Sequence, residues 1–351
     1  MAPIKSSLSR SASKLIGVFR ERDLTIRGLV QKARGDLGAF SASGGDTTRT
    51  YNGKTIHTFT TTGAATLVCT GNPKEVEYLI VGGGGHGVGG SGGGGGAGGY
   101  RTGTTTIGQG TINVQVGAGS PMGTPIQYKS VDSPSPYVES PNPKNGGTPS
   151  FFGPIISEGG GNGGGEAPSG PNISGRDGGS GGGGWAGPSD SPANAGGLGS
   201  YVVATQTASG NPQGNNGGEA NDGPDFDSSG GGGGGAGQAG QNAGPNTGGD
   251  GGYGLRAPDT FRDPGGWTGA PGPDGNWYAA GGGGGGVDGR GATTYGTGGY
   301  GGGGSGGTTG GDGTNNTGGG GGGSRAGFAP TASLRGGSGG PGVVLIAYTP
   351  D

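Results

Sequence analysis

Residues 76–85 read VEYLIVGGGG: six residues suited to one buried strand run straight into four consecutive glycines. The β-branched and aromatic side chains over 76–81 favour extended chain, and the glycines that follow end the strand because they have nothing to pack and the most backbone freedom to lose. The same grammar recurs outward in both directions. Before it, Thr55-Ile-His-Thr-Phe-Thr60 alternates through Ile56 and Phe59, and Ala65-Thr-Leu-Val-Cys69 follows Gly63. After it, Ile112-Asn-Val-Gln-Val116 has period two and stops at Gly117-Ala-Gly119, and Gly342-Val-Val-Leu-Ile-Ala-Tyr348 closes the body. Strand signals bracket the body. The last strand is therefore expected to return and pair with the early ones, leaving the middle as an elaborate insertion on a β scaffold.

Glycine makes up 106 of the 351 residues, about 30%, against roughly 7% in ordinary proteins. Leu, Ile, Val and Phe together number 46, about 13% of the chain, which is too little for a conventional enzyme domain. The net charge of −3 is too small for a typical charged disordered tail. Irregular glycine spacing and only 24 prolines exclude collagen. The single cysteine, Cys69, excludes an intrachain disulfide and a cysteine-based zinc site, and two histidines leave little for metal binding or base catalysis. No apolar run approaches the ~18 residues of a membrane span.

The glycine runs recur at 82–85 with 92–99, 159–165, 178–184, 230–235, 281–286, 298–307 and 318–323, some interrupted by one residue. Two states suit them. Flexible coil is the first, since ordering each glycine costs about 1–2 kcal/mol with no side chain to offset it. The second is a packed lattice of threefold rods with polyproline-like dihedrals, each bonding its neighbours through outward-facing main-chain groups, with non-glycine residues at the ends or outer face. Runs of similar length, flanking strands and turn-rich spacers favour the lattice.

Residues 1–35 differ from the rest: eight Lys/Arg against two Asp/Glu, a local +6 joined to a body of −9. Leu8, Ala12, Leu15, Ile16 and Phe19 recur at helical spacing, and Leu24, Ile26, Leu29 and Val30 form a second apolar set. One or two short amphipathic helices are expected. The anchor interface is assigned to Leu8, Leu15, Ile16, Phe19, Leu24 and Leu29, because a short helix must bury its stripe against a host and the glycine-rich body offers few apolar side chains. A targeting segment and a membrane-surface helix are the other readings of this stretch; a secretory signal is excluded by the lack of an apolar core region.

The strand over 76–81 followed by GGGGHGVGG imitates a dinucleotide fingerprint, but Ser91 and more glycine follow where a helix must start, so no nucleotide or other cofactor site is assigned. A Ser-His-Asp triad has only His57 and His86 to draw on. Asp222, Asp225 and Asp227 lack the spacing of a calcium loop. No catalytic or metal residues are assigned, and an acidic body without a recognition module argues against nucleic acid.

Two glycine-poor insertions stand out. Residues 121–158 are proline-rich and carry Tyr128, Tyr137, Phe151 and Phe152; residues 255–280 hold Phe261, Trp267, Trp277 and Tyr278 beside Arg and Asp. Aromatic faces flanked by acids, amides and arginine suit a sugar or a protein hot spot, and they equally suit a cap over the end of a glycine lattice. Phe261, Trp267, Trp277 and Tyr278 are the candidate receptor or capping loop.

Taken together, Thr55-Ile-His-Thr-Phe59, the 76–85 stretch, Gly96-Ala-Gly-Gly-Tyr-Arg101, Ile112-Asn-Val-Gln-Val-Gly-Ala-Gly119 and the terminal Gly-Gly-Pro-Gly-Val-Val-Leu-Ile-Ala-Tyr348 resemble the glycine-rich domain of bacteriophage tail fibres and tail-tip adhesins, also similar to a domain in some receptor tyrosine kinases. The resemblance covers about residues 47–351. It implies a mainly β fold with a polyglycine II helix bundle; the short N-terminal amphipathic helical anchor is read from residues 1–40 themselves, which lie outside the resemblance. The domains expected are 1–40, the docking segment, and 41–351, the glycine-rich domain with its β framework at 47–119 and 342–349. The function implied is that of a non-enzymatic virion component: a tail fibre or adhesin, with a capsid decoration or head-fibre protein lacking a specific receptor as the alternative. Its partners would be other virion proteins through residues 1–40, a host surface glycan or protein, and further copies of itself in a homo-oligomer.

Overall fold

The computed structural model describes residues 37–121, 146–165, 174–186, 195–199, 213–222, 228–287, 294–325 and 335–351. In chain order the strands are β1 (Ser41–Ser43), β2 (Thr47–Tyr51), β3 (Lys54–Phe59), β4 (Gly63–Thr70), β5 (Lys74–Val81), β6 (Tyr100–Ile107) and β7 (Gly110–Val116). They are followed by β8 (Ser150–Phe152), β9 (Ile155–Ser157), β10 (Leu255–Arg256), β11 (Ala270–Gly272), β12 (Gly275–Ala279) and β13 (Val343–Tyr348). They form three sheets, in the orders β2-β3-β13-β5-β6, β1-β4-β7-β8-β9 and β10-β12-β11.

The terminal strand does return. β13 lies between β3 and β5, antiparallel to both, with Ile346 opposite His57 on one side and Tyr78 on the other. All six of its residues are buried. Period two divides them between two cores. Val344, Ile346 and Tyr348 join Phe59 and Ile80 against Leu67, Val114 and Phe152 of the second sheet. Val343, Leu345 and Ala347 join Ile56, Leu79 and Tyr100 against Phe261, Ala279 and Ala280 of the 255–280 insertion. A strand covered on both faces must be apolar at every position, which is why this one reads VVLIAY without alternation. The second sheet is covered on one face, so β4 alternates: Leu67 and Cys69 are buried while Val68 between them is exposed.

Several strands went unread in the sequence. β6, YRTGTTTI, buries only Tyr100 and Ile107 at its two ends, and its threonines show no apolar alternation. The β8–β9 hairpin turns at Gly153, where φ is +54°, and lies inside the proline-rich insertion. β1, β2 and the small third sheet are short and polar; β1 and β10 find partners distant in the chain, whereas β2 closes onto β3 through the left-handed Asn52-Gly53 turn and β11 onto β12 through Pro273-Asp274.

The fold class needs correction. The structure is mainly β, three antiparallel sheets, and no helical bundle is present among the described residues; their one helical element is the 3₁₀ turn Asp259–Phe261. The expected N-terminal helical anchor lies outside the described residues. The glycine runs are extended chain without regular secondary structure. The reason is where their amides go. Gly93 N–H donates to Gly164, Gly94 to Gly231, Gly95 to Gly321, Gly96 to Gly161 and Gly98 to Gly318. All of these bonds run to other segments, so no internally hydrogen-bonded helix forms, and each of these amides is paired. A Cβ on Gly93, Gly94 or Gly95 would meet a neighbouring carbonyl oxygen at 2.0–2.2 Å, so these chains approach too closely for any side chain.

A second correction concerns the residues that interrupt the runs. Expected at ends or on the outer face, His86, Asn162 and Ser180 are instead buried among the glycine segments. Asn162 Oδ1 accepts the His86 backbone N–H at 3.0 Å, and His86 Nδ1 lies 2.9 Å from Ser120 Oγ. Short polar side chains thus substitute for main-chain partners inside the lattice.

Candidate functional site

The 255–280 insertion folds back onto the first sheet. Its 3₁₀ turn drives Phe261 into the second core at 2% exposure, while Trp267 and Trp277 pack half-buried against the same cluster. Tyr278 sits on β12 with its ring over Gly272, whose added Cβ would meet that ring at 2.4 Å, and its hydroxyl donates to the Asp274 carboxylate. Phe261, Trp267 and Trp277 therefore share one core, and Tyr278 lies at its edge. The anchor residues Leu8, Leu15, Ile16, Phe19, Leu24 and Leu29, together with Tyr128, Tyr137, Asp225 and Asp227, lie outside the described residues.

Polar contacts lock the insertion in place. Thr260 donates its hydroxyl to Glu77 Oε2 at 2.5 Å, and Glu77 also pairs with Lys54. Arg49 on β2 donates Nε–H to Asp263 Oδ2 at 2.7 Å across 214 residues of sequence. Asp263 Oδ1 accepts the Gly265 N–H at 2.9 Å. Burial disfavours the Asp263 charge, but the Arg49 guanidinium and the Gly265 amide outweigh it and hold the carboxyl below its ordinary value.

Beside this junction an open cleft of about 640 Å³ lies between the β2–β3 edge of the first sheet, the 265–269 loop and Asn315–Asn316. Strand register explains its chemistry. Thr47 pairs with Thr58 and Arg49 with Ile56, so Thr47, Arg49, Ile56 and Thr58 share the face that carries the second core. Where that face passes from Ile56 to Thr58 and Thr47, the apolar core gives way to hydroxyls. Trp267 bounds both regions, and its Nε1–H donates to the Asn316 carbonyl at 2.8 Å, which fixes the ring. Asn316 itself is left-handed, φ +57°, a conformation asparagine tolerates better than most residues.

Of the residues singled out from sequence, the cleft takes Trp267 alone; Phe261, Trp277 and Tyr278 do not line it. Arg49, Thr47, Thr58 and Asn315 were missed. Thr47 and Arg49 lie on a short polar edge strand, Thr58 on β3 between the apolar positions that announced it, and Asn315 in a glycine spacer, and nothing local marks them as a site; the ion pair with Asp263 is the link a pairing argument would have needed.

The two histidines are structural in their surroundings. His57 is buried, stacks on Tyr348 and holds the Gly44 carbonyl 2.7 Å from Nδ1; burial pushes its pKa down against that hydrogen bond. Burial pushes His86 down to about 4. Among the described residues no group of three or more His, Cys, Asp or Glu gathers as a metal site would require, and no helix is long and apolar enough to cross a membrane.

The family described as the glycine-rich domain matches residues 60–349, and the chain belongs to that family. Neither the curated proteins nor the solved structures contain a match to it.

Proposed function

We propose that this chain is a bacteriophage virion appendage of the tail-fibre or adhesin type, held to the particle by residues 1–40 and presenting residues 41–351 outward at the virion surface in several copies. Membership of the glycine-rich domain family and the resemblance to phage adhesins support this reading. The observation that carries it is the bonding of the glycine segments. Successive amides of one run are tied to different segments, as Gly94 is to Gly231 and Gly95 to Gly321, which makes a stiff body that leaves little slack for a protease. Stiffness suits a projection that must hold a contact surface away from its base, and several copies would add avidity to weak single contacts. The function is one of binding. The burial of both histidines among structural partners supports that reading over catalysis.

The test uses particles and the purified chain. Deleting residues 1–40 is expected to release the protein from particles while leaving a folded body, and the purified full-length chain is expected to compete with particles for adsorption to host cells. Retention of the truncated protein on particles would refute the anchor. A full-length chain that never competes would instead favour a decoration or head-fibre protein without a receptor.

A further inference from the structure

We infer that the cleft between β2, the 265–269 loop and Asn315–Asn316 binds a neutral saccharide. Trp267 would serve as its apolar platform, and the Arg49–Asp263 pair, Thr47 and Asn315 would address its hydroxyls. The inference rests on the attachment reading for its biological use and on the cleft alone for its chemistry.

Size comes first. About 640 Å³ falls within the roughly 300–1,000 Å³ typical of small-ligand sites, and a concave cleft is the wrong shape for a flat protein interface. Charge comes next. Among the described residues that line it, Arg49 is the one charged side chain, and its guanidinium is already paired with Asp263 at 2.7 Å. The cleft therefore offers an anion no net positive charge, because that carboxylate, only 11% exposed in its side chain and holding the 265–269 loop through Gly265, already balances the guanidinium. A neutral ligand needs no such charge. It can accept from the guanidinium N–H groups not used by Asp263, and it can both donate to and accept from the hydroxyls and amides of Thr47, Thr58 and Asn315.

The remaining lining follows the same logic. A sugar ring offers C–H groups on its faces and hydroxyls at its rim, so it needs a flat apolar surface beside mixed donors and acceptors. Trp267 supplies the surface, and hydroxyl and amide groups flank it. The platform is preorganised. Its indole N–H is held by Asn316, its body packs on the second core, and Gly269 with φ +59° stands where a Cβ would come within 3.0 Å of the ring. A ring that is already fixed loses little further entropy on binding. Gly265 serves the other side: a Cβ there would meet Arg49 Nη2 at 2.1 Å, so glycine leaves room for the guanidinium to lie against the loop.

The full-length chain is titrated with neutral oligosaccharides and with their sialylated or uronic-acid counterparts, by calorimetry and tryptophan fluorescence. Asn315→Ala and Thr47→Ala change exposed residues and are expected to leave the melting temperature unchanged. Each should weaken binding of the neutral sugar roughly three- to tenfold, the loss of one hydrogen bond. Trp267→Phe keeps an aromatic body and should weaken binding further while quenching the fluorescence response. Tenfold higher salt should change the affinity by no more than about twofold. The inference is overturned if no neutral saccharide binds, if anionic sugars bind more tightly with an affinity that collapses in salt, or if all three variants bind as the parent does. An extended peptide pairing with the free edge of β2 would be indifferent to Asn315→Ala, and that result also overturns it. Binding through the cleft without any effect of the free sugar on particle adsorption sinks the attachment reading and leaves the ligand assignment standing. Adsorption through this chain with no neutral saccharide bound does the reverse.

Discussion

Gly94→Ala tests the glycine lattice at a crowded place inside it. The added methyl carbon would lie 2.1 Å from the Gly283 carbonyl oxygen, and ordinary contact begins near 3.4 Å, so the two segments must part by about 1.3 Å. The same carbonyl accepts the Gly233 N–H at 2.8 Å, the Gly283 N–H donates to Gly95 at 2.9 Å, and the Gly94 N–H donates to Gly231 at 3.0 Å. One methyl group therefore strains three inter-segment bonds. At about 0.5–1.5 kcal/mol each, with about 1–3 kcal/mol for forcing a group into a close-packed interior, the expected loss is about 2.5–7.5 kcal/mol. Gly108→Ala is the control. Gly108 is exposed, has nothing within 4 Å of a Cβ and lies outside the left-handed region, so alanine there should stabilise by about 0.4–1 kcal/mol through the unfolded chain. Urea unfolding followed by tryptophan fluorescence, with hydrogen exchange at the glycine amides, measures both variants. If Gly94→Ala falls within about 1 kcal/mol of Gly108→Ala, or if the glycine amides exchange rapidly in the parent, the close approach described here is wrong.

Three further outcomes are expected. His86 is held at about 4 by burial, so below pH 6.5 the unfolded chain takes up a proton that the native state refuses; stability should fall by about 3 kcal/mol between pH 6.5 and 4, and His86→Gln should flatten that slope in pH-dependent urea titrations. Cys69 is 1% exposed with its thiol pushed up by burial, so a thiol reagent should leave the native protein unmodified and react on unfolding; stoichiometric labelling of native protein at neutral pH would contradict the placement of β4 in the first core. Ala279 and Ala280 are both fully buried, but only Ala280 is left-handed, φ +60°; Ala280→Gly should be less destabilising than Ala279→Gly by about 1–2 kcal/mol in the same unfolding assay, and equal losses would argue against that backbone conformation.

The β scaffold was legible where side chains alternate or run continuously apolar. Ile56 and Phe59, Val76–Val81, Ile112–Val116 and Val343–Tyr348 announce their strands because burial on a pleated surface demands those residues at that spacing. The closing strand also announced its own return, since an apolar hexapeptide with no partner nearby must find one far away. The glycine runs showed that backbone would lie against backbone, for no other residue permits it.

Tertiary structure decided the rest. Which run bonds which, and that this yields extended cross-linked chain in place of a helical bundle, depends on carbonyls tens to hundreds of residues away, and glycine carries no side chain to encode the choice. Of the aromatic insertion, Phe261 and Trp277 went to the core and Trp267 reached the cleft because of the sheet face they met. Arg49, Thr47 and Asn315 became neighbours of that tryptophan only when β2, the 265–269 loop and the 315–316 turn converged. A polar edge strand and a spacer of threonine and asparagine have no periodicity of their own, so their meeting is written in long-range packing and not in local pattern.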